Sequence, residues 1–186
     1  RSSQIEEIIW DKNTEGPIYS YRIYDPAKSS NDIRYVGYAD GGGNFYIEWF
    51  HLSPNQTLRI EPGVKIHFTF DWPDNFRLWG GIIAEGTSDE PIIFTSNNSN
   101  PEWGDWAGIE IKPEYRRPTS FRYCEFRYGF QMTLKRDFFM DHCIFTETLG
   151  INAKYEEYIK DATLTNCTFQ AENMEELIGG LEISVS

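Results

Sequence analysis

"LTNCTF" (164–169) repeats a frame written twice before, as "FRYCEF" (121–126) and "MDHCIF" (140–145). All three fit apolar-x-x-Cys-x-Phe, and they use the only three cysteines among 186 residues. Cys124, Cys143 and Cys167 therefore mark one recurring structural position. A second frame, Gly-apolar-x-apolar, alternates with the first: "GIIA" (81–84), "GIEI" (108–111), "GFQM" (129–132), "GINA" (150–153) and "GLEI" (180–183). An earlier turn fits too, with "TLRI" (57–60) ahead of "VKIHF" (64–68).

Each unit is then about two short strands joined by turns, recurring roughly every 21 to 32 residues. A unit that small buries its apolar face only by stacking on copies of itself. Period-2 alternation turns Ile66/Phe68, Ile92/Phe94, Cys124/Phe126, Cys143/Phe145 and Cys167/Phe169 inward. Coils stacked about 4.8 Å apart align these as ladders: an Ile-Ile-Cys-Cys-Cys column beside a column of Phe68, Phe94, Phe126, Phe145 and Phe169. Cysteine serves there as a small, apolar-behaving core residue, reduced and inert. A disulfide between coils suits the Cα spacing but not the dihedral. Gly81, Gly108, Gly129 and Gly150 are expected at coil turns, with Gly180 opening a last, incomplete coil.

Phe121, Met140 and Leu164 lie three residues before the cysteine, not two. The extra residue (Tyr123, His142 or Asn166) implies a bend that carries the chain from one sheet to the next, and Asn is at ease in the left-handed region. In the sequon "NCT", Asn166 is therefore expected as a buried corner. Asn55 ("NQT") and Asn97 ("NNS") fall in expected loops and are the glycosylation candidates.

Composition narrows the classes. The chain is 40% hydrophobic and 16% aromatic, too apolar for disorder, and its aromatic and β-branched content favours strands. The net charge of −12, with 17 Lys+Arg against 29 Asp+Glu, argues against nucleic acid and against anionic lipid. No apolar run approaches the roughly 20 residues of a membrane helix. The acidic balance suits an extracellular or cell-surface protein, where it resists precipitation.

Taken together, "TLRIEPGVKIHF" (57–68), "GIIAEGTSDEPIIFTSNNSNPEWGDWAGIEI" (81–111), "YCEFRYG" (123–129) and "NCTF" (166–169) resemble the right-handed parallel β-helix proteins of the pectate-lyase-like superfamily. More narrowly they resemble the repeat modules of secreted and cell-surface proteins. The resemblance implies an all-β, short right-handed single-stranded parallel β-helix of about six coils over residues 56–186. Residues 1–55 do not match and are expected as an N-terminal β-rich cap or arm, with short strands at "IYSYRIYD" (18–25), "IRYVGYAD" (33–40) and "NFYIEWFHL" (44–52). "DGGGN" (40–44) is expected as the turn between the last two, and "SQIEEII" (3–9) as one or two helical turns. The superfamily hosts lyases, hydrolases, epimerases and non-catalytic modules, so fold alone does not fix function.

Catalysis on such a fold needs clustered carboxylates, or Ca²⁺ with a basic residue, on the outside of consecutive coils. The expected outward column is Ile83, Glu110, Gln131, Asn152 and Glu182, with Lys112 and Lys154 beyond it. It puts no two carboxylates on adjacent coils, and the balance leans away from an enzyme, with no catalytic residue assigned. Trp72, Trp79, Trp103 and Trp106 fall near the turns of the first coils and are candidate sugar platforms. The acidic stretches "DWPD" (71–74), "SDE" (88–90) and "NMEEL" (173–177) lack calcium-loop spacing, so no metal or cofactor is expected. The leading reading is a non-catalytic structural protein, self-assembling into a filament or surface layer through the N-terminal arm and the helix ends. The alternative is a carbohydrate-binding or carbohydrate-active module.

Overall fold

A computed structural model describes residues 5–21, 33–69, 76–148, 150–153 and 158–170. The described residues form three sheets and no helix. Sheet A stacks β1 (Glu6–Trp10), β6 (Gln56–Ile60), β9 (Gly81–Glu85), β12 (Thr119–Arg122), β15 (Phe138–Asp141) and β18 (Ala162–Thr165). Sheet B runs from β2 (Glu15–Tyr21) and β3 (Ile33–Asp40) through β4 (Asn44–Ile47), β7 (Lys65–Phe68), β10 (Ile92–Ser96), β13 (Cys124–Arg127) and β16 (Ile144–Thr146) to β19 (Thr168–Gln170). Sheet C stacks β5 (Phe50–Leu52), β8 (Phe76–Leu78), β11 (Ile109–Ile111), β14 (Met132–Leu134) and β17 (Ile151–Asn152). The chain visits A, B and C in turn, and every pairing is parallel except β2–β3 and β3–β4. This is a short parallel β-helix, and the six strands of sheet A agree with about six coils.

The units thus have three strands, not two. The third was hidden in the residues before each cysteine. Phe121, Met140 and Leu164 pair in register in sheet A. Two residues later the chain turns into sheet B through Tyr123 (φ 46°), His142 (φ 52°) and Asn166 (φ 52°). The bend is where the frame requires it. A second left-handed corner follows sheet B, at Tyr128 (φ 62°) and Glu147 (φ 49°). Asn166 is an exposed corner, not a buried one. Its side-chain amide donates to Asp141 of the preceding coil (3.0 Å), as does the Thr165 hydroxyl (2.8 Å), and His142 Nδ1 lies 3.0 Å away. Together these hold the Asp141 carboxyl down to about 2.

The cysteine ladder is present. Ile92 pairs with Cys124, and the register of β13 with β16 sets Cys143 over Cys124. All three thiols are free; Cys124 and Cys143 are buried, while Cys167 is only half-buried. Hydrogen bonding of the Cys143 thiol toward Cys124, together with burial, pushes it well up. The phenylalanine column is Phe94, Phe126, Phe145 and Phe169, with near-parallel rings 4.9, 4.9 and 4.7 Å apart. Phe68 does not join it. Strand β7 is slipped by two residues, so Phe94 faces Ile66 and Phe68 faces Ser96. A two-residue slip keeps every side chain on its own face, so alternation cannot detect it. Phe68 instead stacks on Trp106 at 4.2 Å.

The glycine frames divide between sheets. "GIIA" lies in sheet A, while "GIEI" and "GINA" lie in sheet C. "GFQM" is out of step by two: Met132, not Phe130, continues the inward column to Ile151, and Phe130 is exposed. Gly108 does turn a coil corner at φ 98°, where a Cβ would collide with the carbonyl of Gln131. Gly129 has no positive φ; a Cβ there would meet the Trp106 indole at 2.8 Å. Gly180 lies outside the described residues.

The ladders cross residue 55. Strands β4 and β5 pair parallel with β7 and β8, and β1, expected as helical turns, pairs parallel with β6. Trp10 enters the core and stacks on Phe45 at 4.8 Å. The expected strand at 33–40 is found, that at 44–52 divides into β4 of sheet B and β5 of sheet C, and Asp40 closes the "DGGGN" turn by accepting the Gly42 and Asn44 amides. Strands β2 and β3 are inserted in the first coil, between its sheet A and sheet B strands. Ser20 of β2 stands in for a missing ladder partner of β5: its hydroxyl donates to the His51 carbonyl (2.8 Å) and accepts from the His51 amide (2.9 Å).

Two outcomes test this packing. Cys143→Ser places a hydroxyl in an apolar column but near the Phe121 carbonyl that Sγ already approaches at 3.5 Å, so it should destabilise by about 1–2 kcal/mol in urea unfolding. A thiol reagent on the native protein should label Cys167 first and leave the other two protected until unfolding; equal rates at all three would contradict the ladder. Gly108→Ala should cost on the order of 3 kcal/mol, from left-handed strain and the Gln131 collision, read as a lowered thermal midpoint.

Candidate functional site

The four tryptophans do not form a common platform. Trp79 and Trp106 are each 4% exposed, so neither can offer a ring face to a sugar. Trp106 fills the core beside Phe68, with its indole N–H donated to the Arg127 carbonyl at 2.8 Å. Trp79 packs edge-on to His51 (5.7 Å), with Lys112 over its ring at 5.5 Å. Trp103 is exposed and leans on Phe130 at 5.7 Å, and Trp72 lies outside the described residues. Asn55 and Asn97 are both exposed, the access a glycan acceptor needs.

The outward column of sheet C is His51, Arg77, Glu110, Thr133 and Asn152, read from the pairing of its strands. It keeps Glu110 and Asn152 of the expected column. Ile83 belongs to sheet A, Gln131 stands two residues before Thr133, and Glu182 and Lys154 are outside the described residues. His51 is buried under Trp49 and Trp79. Glu110 is ringed by Lys112 Nζ at 2.7 Å, Lys135 Nζ at 2.9 Å and Arg77 Nε at 3.3 Å. Burial works to raise its pKa, but the hydrogen bonds and charges of Lys112 and Lys135 prevail and hold it below the usual glutamate range. A carboxylate so held stays ionised at neutral pH and cannot serve as a general acid. No second carboxylate stands in this column among the described residues.

Sheet B carries a feature that the sequence did not disclose. Its outer face bears a row of tyrosines where β2 and β3 join β4 and β7. Ile18 faces Gly37 and Tyr19 faces Tyr35, so Val36 is an extra residue in β3. This bulge lets Tyr35 and Tyr38, three apart in sequence, both point outward. Tyr19, Tyr35 and Tyr38 are 56%, 52% and 46% exposed. Tyr38 stacks on Tyr46 at 4.8 Å, and Tyr46 on His67 at 4.9 Å. Burial holds the His67 pKa down, so its ring is neutral at pH 7. The only sequence signal was the tyrosine content of segments 18–25 and 33–40. Without the bulge, alternation assigns Tyr35 and Tyr38 to opposite faces.

Among the described residues no group of three or more His, Cys, Asp or Glu is placed to hold a metal ion, and no helix is long and apolar enough to cross a membrane.

Comparison with protein families matches residues 48–114 to the pectate-lyase like beta helix domain. Neither the comparison with curated proteins nor that with solved structures gives a match. The matched segment runs from β5 through β11, where all three sheets are already stacked in parallel. Coils of three in-register parallel strands, running on beyond that segment to residue 170, make this chain a parallel β-helix repeat protein.

Proposed function

We propose that the chain is a non-catalytic β-helix module of an extracellular or cell-surface protein, a rigid scaffold that binds or assembles and does not transform. The observation that carries this reading is Glu110. It is the sheet C carboxylate best placed for acid–base work, and three cations hold it ionised. The net charge of −12 supports a solvent-exposed setting. Incubation with acidic and neutral polysaccharides should release neither reducing ends nor unsaturated products. Turnover that is abolished by Glu110→Gln would overturn the reading.

The exposed tyrosines favour a second reading, carbohydrate binding. Large rigid rings offer contact area to sugar faces at low entropy cost. Here the platform is Tyr19, Tyr35 and Tyr38, in place of the tryptophans. If they bind a glycan, each Tyr→Ala change should weaken binding roughly fivefold in a glycan-array or calorimetric assay. Unchanged affinity in all three variants would remove this reading.

Self-association belongs to the proposal as contact between helix ends, head to tail, which propagates into a filament when its rotation does not close. The arm is less free to take part, since β1 pairs with β6 and Trp10 sits in the core of its own chain. Light scattering on the full chain and on a deletion of residues 1–16 distinguishes the routes. Association through the ends rises with concentration in the full chain; a strict monomer throughout would eliminate assembly.

A further inference from the structure

On the corner between sheets C and A, residues from three successive coils line a cavity of about 380 Å³. Arg116, Arg117, Arg136 and Lys160 line it, with Asp137 and Tyr158. We propose that this cavity binds an oxyanion: the carboxylate, sulfate or phosphate of a ligand of about monosaccharide size.

Arg136 is 3% exposed. Its guanidinium donates to Thr119 Oγ1 (2.9 Å) and to the carbonyls of Trp79 (3.1 Å), Tyr115 (3.2 Å) and Gly80. All four acceptors are neutral, and among the described residues no carboxylate reaches ion-pair distance of it. Burial, then repulsion from Arg117, lowers its pKa to about 10, so it remains charged at neutral pH. The fold thus holds a positive charge deep in the wall by hydrogen bonds to neutral dipoles, with Arg117 repelling it and Glu114 attracting it from beyond ion-pair distance. Removing a charge from water without a counter-ion is unfavourable. An arriving anion offsets that penalty.

The surroundings agree. Four cations face one carboxylate here, on a chain whose net charge is −12. That carboxylate is committed to the local turn, since Asp137 Oδ1 accepts the amides of Lys160 (2.6 Å) and Asp161 (3.0 Å). Lys112 and Lys135 on the neighbouring face are ion-paired with Glu110; in the cavity no described cation reaches ion-pair distance of Asp137. Concave walls of low dielectric focus such a field, and arginine forks match oxyanion geometry. The volume falls in the usual range for small-ligand sites. Tyr158, 46% exposed at the rim, adds a ring that can flank a sugar.

The site stands independently of the non-catalytic reading. The test is a backbone amide NMR titration with sodium sulfate, sodium phosphate and sodium glucuronate in turn, at constant ionic strength with chloride as background. Saturable shifts should centre on residues 136–137 and 160–161 for at least one probe. A response to glucuronate alone assigns a sugar carboxylate; a response to sulfate or phosphate alone assigns their esters or the free anions. Arg136 variants lose four buried hydrogen bonds and can fail to fold, so the double variant Arg116→Gln/Lys160→Gln, at two exposed positions, carries the test. It should keep the native melting profile and bind roughly tenfold more weakly, while Lys65→Gln/Arg122→Gln on other faces should bind as the wild type does. No saturable shift with any probe, or equal affinity in the two double variants, overturns the proposal.

Discussion

The coil depends on a backbone conformation that most side chains avoid. Tyr123, His142 and Asn166 turn the chain from sheet A into sheet B in one residue, and Tyr128 and Glu147 turn it out of sheet B. None is glycine. A left-handed L-residue costs roughly 1–2 kcal/mol, so these corners persist only because the ladders on both sides over-determine them. The same corners fix the spacing between inward columns. They place Cys143 over Cys124 and Phe145 over Phe126, and the next coil inherits the arrangement with Phe169 over Phe145. Bonds between coils lock the corner in return, as where Asp141 holds Asn166 and Thr165. Neighbouring corner rings stack as well, Tyr123 on His142 at 4.6 Å.

This mutual dependence explains what the sequence could disclose. The apolar-x-x-Cys-x-Phe frame spans a sheet A position, a corner and a sheet B strand. It therefore carried strand, bend and ladder together, legible because the frame recurs at 121–126, 140–145 and 164–169. Register was not legible where coils differ in length. The two-residue slip at Phe68 and the displacement of Phe130 both preserve alternation, so no periodicity argument could find them. The candidate sites were harder still. Trp79 and Trp106 looked like residues near the turns of the first coils, yet both are drawn into the core. The tyrosine row depends on a bulge at Val36, and Arg136 on carbonyls from positions 79, 80 and 115. Such long-range partners leave no local trace.

The charged residues of sheet C and of the adjacent corner follow two different rules. On the sheet face, Arg77, Lys112 and Lys135 converge on one carboxylate and are ion-paired. Around the corner, Arg136 is satisfied by neutral dipoles and its charge is left standing. The two arrangements are joined through adjacent residues: Lys135 points to the face and Arg136 into the wall. Strand alternation continued one step past β14 makes one dipeptide serve both.

Strands β3 and β4 meet across the short "DGGGN" turn, whereas every parallel partner lies a full coil away, as Ser120 does from Phe139. Loop closure is therefore least unfavourable at the N-terminal end. That hairpin, with Phe45 and Ile47 already on its inner side, is the seed with the shortest contacts. Each later coil then adds to an existing edge, and growth follows the direction in which the chain is synthesised. A short antiparallel turn beside the parallel coils thus gives a repetitive molecule a defined place to start.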